Sequence, residues 1–526
     1  MSTSLANLNR VLTAHGYAIK KSSLTPTATQ TLRKELTVSP TMNQKFVRAA
    51  GVPSFTVFTE SPTRFYVPRC WGKDVYGPAE AEAVPEGQPL RSDLQFVGKP
   101  YDYQQAIVDQ FFTAGSNGLI CVPCGRGKTF MAIWTAMRIG RKFMIVVDKE
   151  FLMNQWKGEL ESLVPGIRVG ILQEDKCQVG EETIYGKPMT LPELKQICRE
   201  KGLKVGGTRE ELVVRIKTVD PEFKDMEIET VSYDCTIAMI QTLVQRDFHP
   251  DIFKQFGFTI FDECHHLGAA NFSRALLKVQ TKSMLGLSAT PTRDDGLTKV
   301  FEWFLGKPVY WEKTREPDPH VEVRCIKFET EDPDYNQIPT DYKGEPVLAR
   351  LLTKVVECEE RNEKIAEVIK ELAEDSRRRI LVLSERISHL NAIEELLKES
   401  GLTMSYYIGG MKEEERESGA KEARVLLASY AMASEAMNIK HLNTVIMASP
   451  RKKVEQSTGR ILRVQKDQRE VHPVIVDVVD SHGMYQGQWR KRAAYYKKCA
   501  YRIQYEDQPQ SETEDTTKQD ECLIED

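Results

Sequence analysis

A glycine-rich loop that ends in Gly-Lys-Thr has residue types and spacing suited to phosphate chemistry. It lies between a short apolar run and a helical stretch, and its sequence is Val122-Pro123-Cys124-Gly125-Arg126-Gly127-Lys128-Thr129. Gly125 and Gly127 carry no Cβ atom, so backbone amides can approach phosphate oxygens. Lys128 can reach the β- and γ-phosphates, and Thr129 can bind Mg²⁺. The loop predicts a nucleotide site, although Val122 stands where the strict motif has glycine.

Two adjacent carboxylates, Asp262 and Glu263, follow a second apolar run at Phe258–Phe261. Ligand sites of α/β proteins lie at the carboxyl ends of strands. Asp262 is suited to hold Mg²⁺, and Glu263 to orient and deprotonate an attacking water. A solvated pair of loop acids is the alternative, but the order of the two motifs favours hydrolysis of a nucleoside triphosphate.

Two arginines three residues apart, Arg460 and Arg463, stand in the pattern Q-x-x-G-R-x-x-R that begins at Gln456. A planar guanidinium is suited to the charge that develops on a transferred γ-phosphate. An isolated R-x-x-R pair is usually a solvated surface pair. Here it lies in a second α/β pattern, and we expect it to complete the nucleotide site of the first.

Two other groups invite redox or metal chemistry. Cys121 and Cys124 have C-x-x-C spacing, but no second cysteine pair follows nearby. His266 follows His265, but no partner ligands stand at metal spacing. We therefore assign Cys124 to the phosphate-binding loop and expect His265 to bridge the acidic pair to the segment near Ser288.

Short apolar runs separated by helical stretches must position these groups, and such runs are typical of buried parallel strands. The first set comprises Leu119–Val122, Met144–Val147, Thr236–Ile240, Thr259–Phe261 and Met284–Leu287. The second comprises Ile380–Leu383, Met404–Tyr407, Val425–Leu427, Thr444–Met447 and Val474–Val478. They predict an α/β fold with two tandem domains, at 96–320 and 345–505. A small mixed domain at 1–95, with a linker at 77–89, precedes them.

The whole chain has 526 residues and a net charge of -4. The segment 506–526 holds nine acidic residues and one lysine, so the charge becomes +4 without it, and its composition indicates disorder. A mildly basic body is compatible with a nucleic-acid groove. We find neither a secretory signal nor an apolar run of about 18 residues, and the 11 cysteines are scattered, so we expect an intracellular protein that does not span a membrane.

In their order along residues 100–480, the motifs resemble those of superfamily 2 helicases of the DEAH type, and the loop is similar to that of XPB-like proteins. The matching segments are Tyr103-Gln104, Val122–Thr129, Val146–Trp156, Ile240–Leu243, Asp262–His265, Ser288–Thr290, Leu383–Arg386 and Gln456–Arg463. The resemblance implies two RecA-like domains that bind ATP and Mg²⁺ between them.

The resemblance also implies the residues of each site. Catalysis falls to Glu263, Lys128, Arg460 and Arg463; Mg²⁺ to Thr129 and Asp262. ATP would be bound by Gln104, Val122, Pro123, Cys124, Gly125, Arg126, Gly127, Lys128, Thr129, Asp262 and Gln456. Nucleic acid would be contacted by Gln155, Gln241, Ser384, Ser429 and Ser434.

Two further segments, Thr25–Arg69 and Arg490–Ile503, resemble the poxvirus-type helicases of large DNA viruses that are linked with transcript release. This implies a DNA helicase or translocase in viral transcription, or in repair or replication, located in the virion or in the host cytoplasm or nucleus. Its partners would be DNA, with RNA in a transcription complex and an RNA polymerase as further candidates.

One motif departs from that family. Glu435-Ala436-Met437-Asn438 stands where Glu-Gly-Leu-Asp is usual, which puts the coupling of nucleotide to strand in doubt. The rival function is therefore an ATP-gated DNA-binding subunit without strand separation. A phosphate-loop enzyme that acts on small molecules does not explain the second domain.

Residues 186–220 form an insertion in the first domain. Thr190 with Glu193, and Thr208 with Glu211, match the S/T-x-x-E capping box at two helix starts. A surface insertion without function is one interpretation. The apolar and glycine pattern resembles instead a SAP motif, a small helical DNA-binding unit. The resemblance implies phosphate contacts by cations that include Lys204 and Arg209.

Overall fold

The computed structural model describes residues 5–41, 54–123, 125–185, 188–225, 228–268, 271, 273–293, 295–313, 316–435, 439, 441–462, 464 and 466–506. The chain forms two compact units. The first comprises Met1–Cys121 and Gly127–Trp311, and the second comprises Val122–Arg126 and Glu312–Asp526. Within the described residues, no helix is long and apolar enough to cross a membrane.

The first unit begins with a small mixed sheet and two helices. In chain order these elements are β1 (Arg10–Thr13), β2 (Gly16–Lys20), α1 (Pro26–Glu35), β3 (Thr37–Val38), β4 (Phe55–Thr56), β5 (Thr59–Glu60), β6 (Arg64–Val67), α2 (Arg69–Tyr76) and β7 (Ala81–Ala83). The strand order is β5-β6-β2-β1-β7, and β3 pairs separately with β4. Pro26 stands at the start of α1, where Thr25 accepts a hydrogen bond from the Ala28 amide and so caps the helix.

The predicted linker at 77–89 is wrong, because its residues are paired and packed. The β7 strand lies parallel to β1 in the mixed sheet. Further on, the Gln88 amide donates to the Gln255 carbonyl at 2.7 Å. A Cβ atom on Gly87 would lie 2.1 Å from the Gly257 nitrogen, so the two backbones are in close contact. The proline and glycine residues of this segment therefore belong to closely packed structure and not to a linker.

An eight-stranded sheet dominates the first unit. Its elements are α3 (Asp102–Thr113), β8 (Asn117–Cys121), α4 (Lys128–Ile139), β9 (Phe143–Val147), α5 (Glu150–Leu163), β10 (Val169–Gln173), β11 (Lys176–Cys177), β14 (Cys235–Met239), α8 (Ile240–Gln245), β15 (Phe258–Phe261), α9 (Ser273–Lys278), β16 (Ser283–Ser288), α10 (Thr298–Leu305) and β17 (Pro308–Trp311). The order is β11-β10-β14-β9-β15-β16-β8-β17. Neighbouring strands are parallel except for β10 and β11.

Between β11 and β14 the chain leaves this sheet. The strands β12 (Glu181–Tyr185) and β13 (Ile228–Ser232) pair antiparallel, and between them lie α6 (Leu191–Glu200) and α7 (Arg209–Val219). The two helices bury a small core of their own, formed by Leu194, Cys198, Leu212 and Ile216. Both capping boxes form, at Thr190 and at Thr208. The insertion is therefore a helix pair on a two-stranded stem.

The second unit contains a seven-stranded, entirely parallel sheet. Its elements are β18 (Glu322–Phe328), α11 (Pro333–Asn336), α12 (Leu348–Glu357), α13 (Glu359–Ala373), β19 (Ile380–Ser384), α14 (Ile387–Leu397), β20 (Met404–Tyr407), α15 (Glu413–Glu422), β21 (Val425–Ser429), α16 (Tyr430–Glu435), β22 (Thr444–Met447), α17 (Glu455–Thr458), β23 (Val474–Asp480), α18 (Gly483–Lys498) and β24 (Arg502–Tyr505). The order is β20-β21-β19-β22-β23-β18-β24. The predicted fold class, two tandem RecA-like sheets after a small mixed sheet, is confirmed.

Candidate functional site

The phosphate-binding loop leaves the carboxyl end of β8 and enters α4. Gly127 stands before the helix with φ of +77°, in the left-handed region that glycine adopts without strain. A Cβ atom there would lie 2.5 Å from Nε2 of Gln104, which is buried against the loop. The loop therefore needs glycine both for its backbone conformation and for space beside Gln104. The Arg126 guanidinium is paired with Glu312 and Glu316.

Lys128 Nζ donates to Oε1 of Glu263 at 3.3 Å. Lys128 opens α4, which follows β8, and Glu263 follows β15; only β16 lies between these two strands. Parallel strands carry their following loops at one edge of the sheet, so residues 135 positions apart meet there. The structure thus brings the two predicted motifs together.

Asp262 is held by a buried tryptophan. The Trp156 indole Nε1–H donates to Oδ2 of Asp262 at 2.8 Å. The backbone amide of Glu263 donates to Oδ1 at 2.9 Å. Burial and the neighbouring Glu263 charge raise the pKa of Asp262 above its ordinary value. The sequence-based assignment missed Trp156, although the residue falls within the motif that spans Val146–Trp156.

Glu263 adopts a backbone conformation that is rare for a residue other than glycine, with φ of +42°. Left-handed backbone at such a residue stores strain and is concentrated at functional sites. Burial opposes ionisation of Glu263, but Lys128 and His265 outweigh it and hold the pKa of this carboxyl well below its ordinary value. Its Oε2 atom is buried, and Nδ1 of His265 lies 3.3 Å from it.

The histidines after the acidic pair contact neighbouring strand ends. His265 Nδ1 lies 3.0 Å from the Ser288 hydroxyl at the end of β16, and 3.3 Å from Oε2 of Glu263. His266 Nδ1 lies 2.5 Å from Oδ2 of Asp148, which follows β9. Gln241 Nε2 donates to the Asp148 carbonyl at 2.7 Å. His265 is thus placed between the acidic pair and Ser288, as the sequence predicts.

Cys264, directly after the acidic pair, is fully buried. A Cβ atom added to Gly286 would lie 3.0 Å from the Cys264 sulfur and 2.4 Å from Leu119 Cδ2, so these residues are closely packed. Burial raises the pKa of the Cys264 thiol well above its ordinary value, with Cys121 adding to the effect. The thiol therefore packs in the core and is not a nucleophile.

Predicted contact residues differ in how they are presented. Ser384, at the end of β19, is buried; its hydroxyl lies 2.9 Å from Nδ1 of His389 and accepts the Arg386 amide at 3.1 Å. It is therefore placed to fix the start of α14 rather than to contact a strand itself. Ser429 and Gln155 are half-buried. Arg460 is 5% exposed, so little of it faces solvent.

In the insertion, Lys204 is exposed, whereas Arg209 is engaged. The Arg209 guanidinium donates to Oδ2 of Asp225 at 2.5 Å and to the Met189 carbonyl at 3.2 Å. It therefore ties the start of α7 to the segment next to the stem. The phosphate contact predicted for Arg209 would require breaking this ion pair.

Several predicted positions lie outside the described residues. They are Cys124, Arg463, the altered motif at 436–438, the tail from 507 onward, and the side chains of Ser434, Glu435 and Gln456. Among the residues that are described, the cysteines are free thiols, and no group of three or more His, Cys, Asp or Glu residues could hold a metal ion.

The residues at the edge of the first sheet fit a bound nucleotide with Mg²⁺. Lys128 and the α4 amino terminus favour phosphate oxygens. Thr129 and Asp262 offer the oxygen ligands that Mg²⁺ prefers. Two features of this structure support the fit: a Cβ atom at Gly127 would collide with Gln104, and Lys128 Nζ lies beside the acidic pair.

Comparison with known proteins agrees with this geometry. Residues 98–293 match the family "Type III restriction enzyme, res subunit", and residues 363–466 match "Helicase conserved C-terminal domain". The "Putative ATP-dependent RNA helicase" of Acanthamoeba polyphaga mimivirus is 28% identical over 513 residues, which cover 95% of this chain and 87% of the relative. The "Putative ATP-dependent RNA helicase" of African swine fever virus is 24% identical over 445 residues, which cover 77% and 74%.

A solved structure, that of T4 UvsW, matches 93% of this chain and 97% of its own, at 16% identity and a TM-score of 0.31.

The two family models matched by residues 98–293 and 363–466 identify the chain as an ATP-dependent helicase of superfamily 2, related to proteins named as helicases in large DNA viruses. The sequence-based assignment to this superfamily is therefore confirmed.

Proposed function

We propose that this protein is a DNA-stimulated ATPase that moves along a DNA strand during viral transcription. The observation that carries the ATPase is the 3.3 Å pair between Lys128 and Glu263, formed beside Asp262. Movement is supported by the helicase domain matched in the second unit. A role in transcript release, together with an RNA polymerase, is supported by the resemblance to poxvirus-type helicases.

Each residue of the site has a proposed task. Lys128 would bind the phosphates, and Thr129 and Asp262 would hold Mg²⁺. Bound Mg²⁺ would neutralise phosphate charge. Lys128 would exchange its Glu263 partner for phosphate oxygens. That exchange would free the Glu263 carboxylate to orient and deprotonate water. Arg460 and Arg463 of the second unit are proposed to supply cations for the γ-phosphate.

The insertion is proposed to be a DNA-binding unit of the SAP type. Its helix pair has its own core, so it can be a separate binding surface. Its exposed cations, which attract phosphates, include Arg199, Lys204 and Lys217; Lys201 is exposed as well but is paired with Asp220. The phosphate contact predicted for Arg209 would require its ion pair with Asp225 to open.

The choice of DNA is tested by movement on defined tracks. Biotin–streptavidin would block one end of a single-stranded DNA or RNA of equal length, and ATP-dependent streptavidin release would be timed. We expect release from DNA. Release from RNA alone would contradict the choice of DNA and agree with the names of the viral relatives. No release from either, with DNA binding that depends on ATP, would support the ATP-gated binding subunit.

A further inference from the structure

A turn in the second unit exposes an aromatic side chain to solvent. The 338–347 turn joins α11 to α12, and Tyr342 at its tip is 91% exposed. The next most exposed large apolar side chain among the described residues is Val214, at 64%. Ile338 and Leu348 at the base of the turn are about half exposed. Exposed apolar groups concentrated in one segment indicate an interaction site.

The tip is held by hydrogen bonds of the turn itself. Asp341 Oδ1 accepts the backbone amides of Lys343 at 2.8 Å and Glu345 at 3.0 Å. The Asp341 amide donates to the Glu345 carbonyl at 2.8 Å, and Gly344 supplies the left-handed residue with φ of +79°. Tyr342 is thus presented by a fixed backbone, which lowers the entropy lost when it binds a partner.

The base of the turn is anchored to the carboxyl end of β23. Tyr335 of α11 donates its hydroxyl to Oδ1 of Asp480 at 2.9 Å. The same carboxylate is paired with Arg361, whose Nε lies 2.6 Å from Oδ1. Arg361 and Asp480 are fully buried. The turn therefore rises from a rigid part of the second sheet.

That anchor lies near another strand end. Asn362, next to Arg361 on α13, lies 2.8 Å from Nε2 of His389, and Nδ1 of the same ring lies 2.9 Å from Ser384. Ser384 ends β19, which is parallel to β23 and separated from it by β22 alone. The base of the turn thus lies at the sheet edge where Ser384 and Ser429 end their strands.

The chemistry of the tip matches a single strand of nucleic acid. Lys343 Nζ lies over the Tyr342 ring, 5.3 Å from its centre, so a cation accompanies an aromatic side chain that is otherwise open to solvent. Bases stack on exposed aromatic rings irrespective of sequence, and a neighbouring cation binds phosphate. We propose that Tyr342 stacks on an unpaired base of the strand bound by the second unit, with Lys343 at an adjacent phosphate. This rests on the proposed function as a nucleic-acid motor.

The experiment combines cross-linking with equilibrium binding. The full-length protein is irradiated with single-stranded DNA that contains 5-iodouracil, and the attached peptide is identified by mass spectrometry. Affinity for the same DNA is measured for Tyr342→Ala, Tyr342→Trp and Lys343→Ala. The matched control is Val75→Ala, an exposed apolar side chain on α2.

We expect a cross-link at Tyr342 and an affinity loss of about 5- to 150-fold in Tyr342→Ala, the range for one base–aromatic stack. Tyr342→Trp should restore affinity and Lys343→Ala should flatten its salt dependence, while Val75→Ala should match the wild type. Unchanged affinity in Tyr342→Ala without a cross-link at Tyr342, in a protein that binds DNA, would overturn the proposal and leave the tip as a protein-docking site. Failure of the wild type to bind any single strand would instead refute the proposed function.

Discussion

The indole Nε1–H of Trp156 donates a 2.8 Å hydrogen bond to Oδ2 of Asp262, inside the protein and 106 residues away in sequence. An indole only donates, so this oxygen has a fixed partner. The other oxygen, Oδ1, accepts the Glu263 amide. The two bonds orient the carboxylate that we assign to Mg²⁺, and outer partners of this kind tune metal affinity.

Replacement of Trp156 by phenylalanine should lower the affinity of the site for Mg²⁺ without disrupting the fold. Without the indole donor, the Asp262 carboxylate loses one of the two hydrogen bonds that orient it. We expect the Mg²⁺ concentration for half-maximal ATP hydrolysis to rise about 10-fold. Trp303→Phe, on α10, is the matched control. An unchanged Mg²⁺ requirement in Trp156→Phe would show that the indole only fills space.

Gly127→Ala should reduce ATP affinity about 10-fold or more. An alanine there would be strained at φ of +77°, and its Cβ atom would displace Gln104. Gly166→Ala is the control for left-handed strain outside the loop, because Gly166 has φ of +80° and nothing lies within 4 Å of its added Cβ atom. Binding of a fluorescent ATP analogue to both variants gives the comparison. Equal, wild-type affinity would contradict the role assigned to the loop.

Replacing residues 186–227 by an Asn-Gly turn should leave the ATPase without nucleic acid intact and weaken DNA binding. Tyr185 and Ile228 are paired at the end of the stem, so a two-residue turn can close the hairpin. The removed helices have a separate core, and the main sheet should therefore keep its packing. Full DNA affinity and an unchanged salt dependence in this variant would refute a DNA-binding insertion.

The second unit should lose stability in mild acid through His389. Burial and the charge of Arg361 lower the pKa of His389 to about 3, against an ordinary value of 6.5. Below pH 6.5, His389 therefore binds a proton in the unfolded chain but stays neutral in the folded chain. The free energy of unfolding that the neutral ring contributes above pH 6.5 is lost as the pH falls towards 3. This residue should contribute a loss of about 2 kcal/mol between pH 7.5 and pH 5.

Chemical denaturation of the wild type and of His389→Gln at both pH values checks this. Both proteins contain other groups that titrate, so the relevant quantity is the difference between their pH dependences. We expect a smaller loss in His389→Gln. Equal losses in the two proteins would show that folding does not lower the pKa of His389.

Strands that are buried along their whole length could be predicted, whereas the partly buried strands β10 and β18 could not. The five residues of β19, Ile380–Ser384, are all buried, and apart from the terminal serine they form a continuous apolar run. The β10 strand, Val169–Gln173, is buried only at alternate residues and contains a glycine. The first strand of the second unit, β18, was likewise missed, and it precedes the predicted start at residue 345.

The residues of the site also divide into those that the sequence predicts and those that only the fold reveals. Lys128, Asp262 and Glu263 carry a local signature, so their sequence neighbourhood predicts them. Trp156 acts through a partner that only the folded sheet brings close. The burial of Ser384 depends on His389 and on α13, which the motif alone does not reveal.

The most direct test of the ATP-dependent motor is steady-state ATP hydrolysis with and without single-stranded DNA, in the wild type, in Glu263→Gln and in Glu161→Gln, an exposed carboxylate on α5. We predict strong stimulation by DNA in the wild type and in Glu161→Gln. Hydrolysis by Glu263→Gln should fall at least about 100-fold, with ATP binding retained. DNA-stimulated hydrolysis of wild-type magnitude in Glu263→Gln, or no hydrolysis by the wild type with any nucleic acid, would contradict the account.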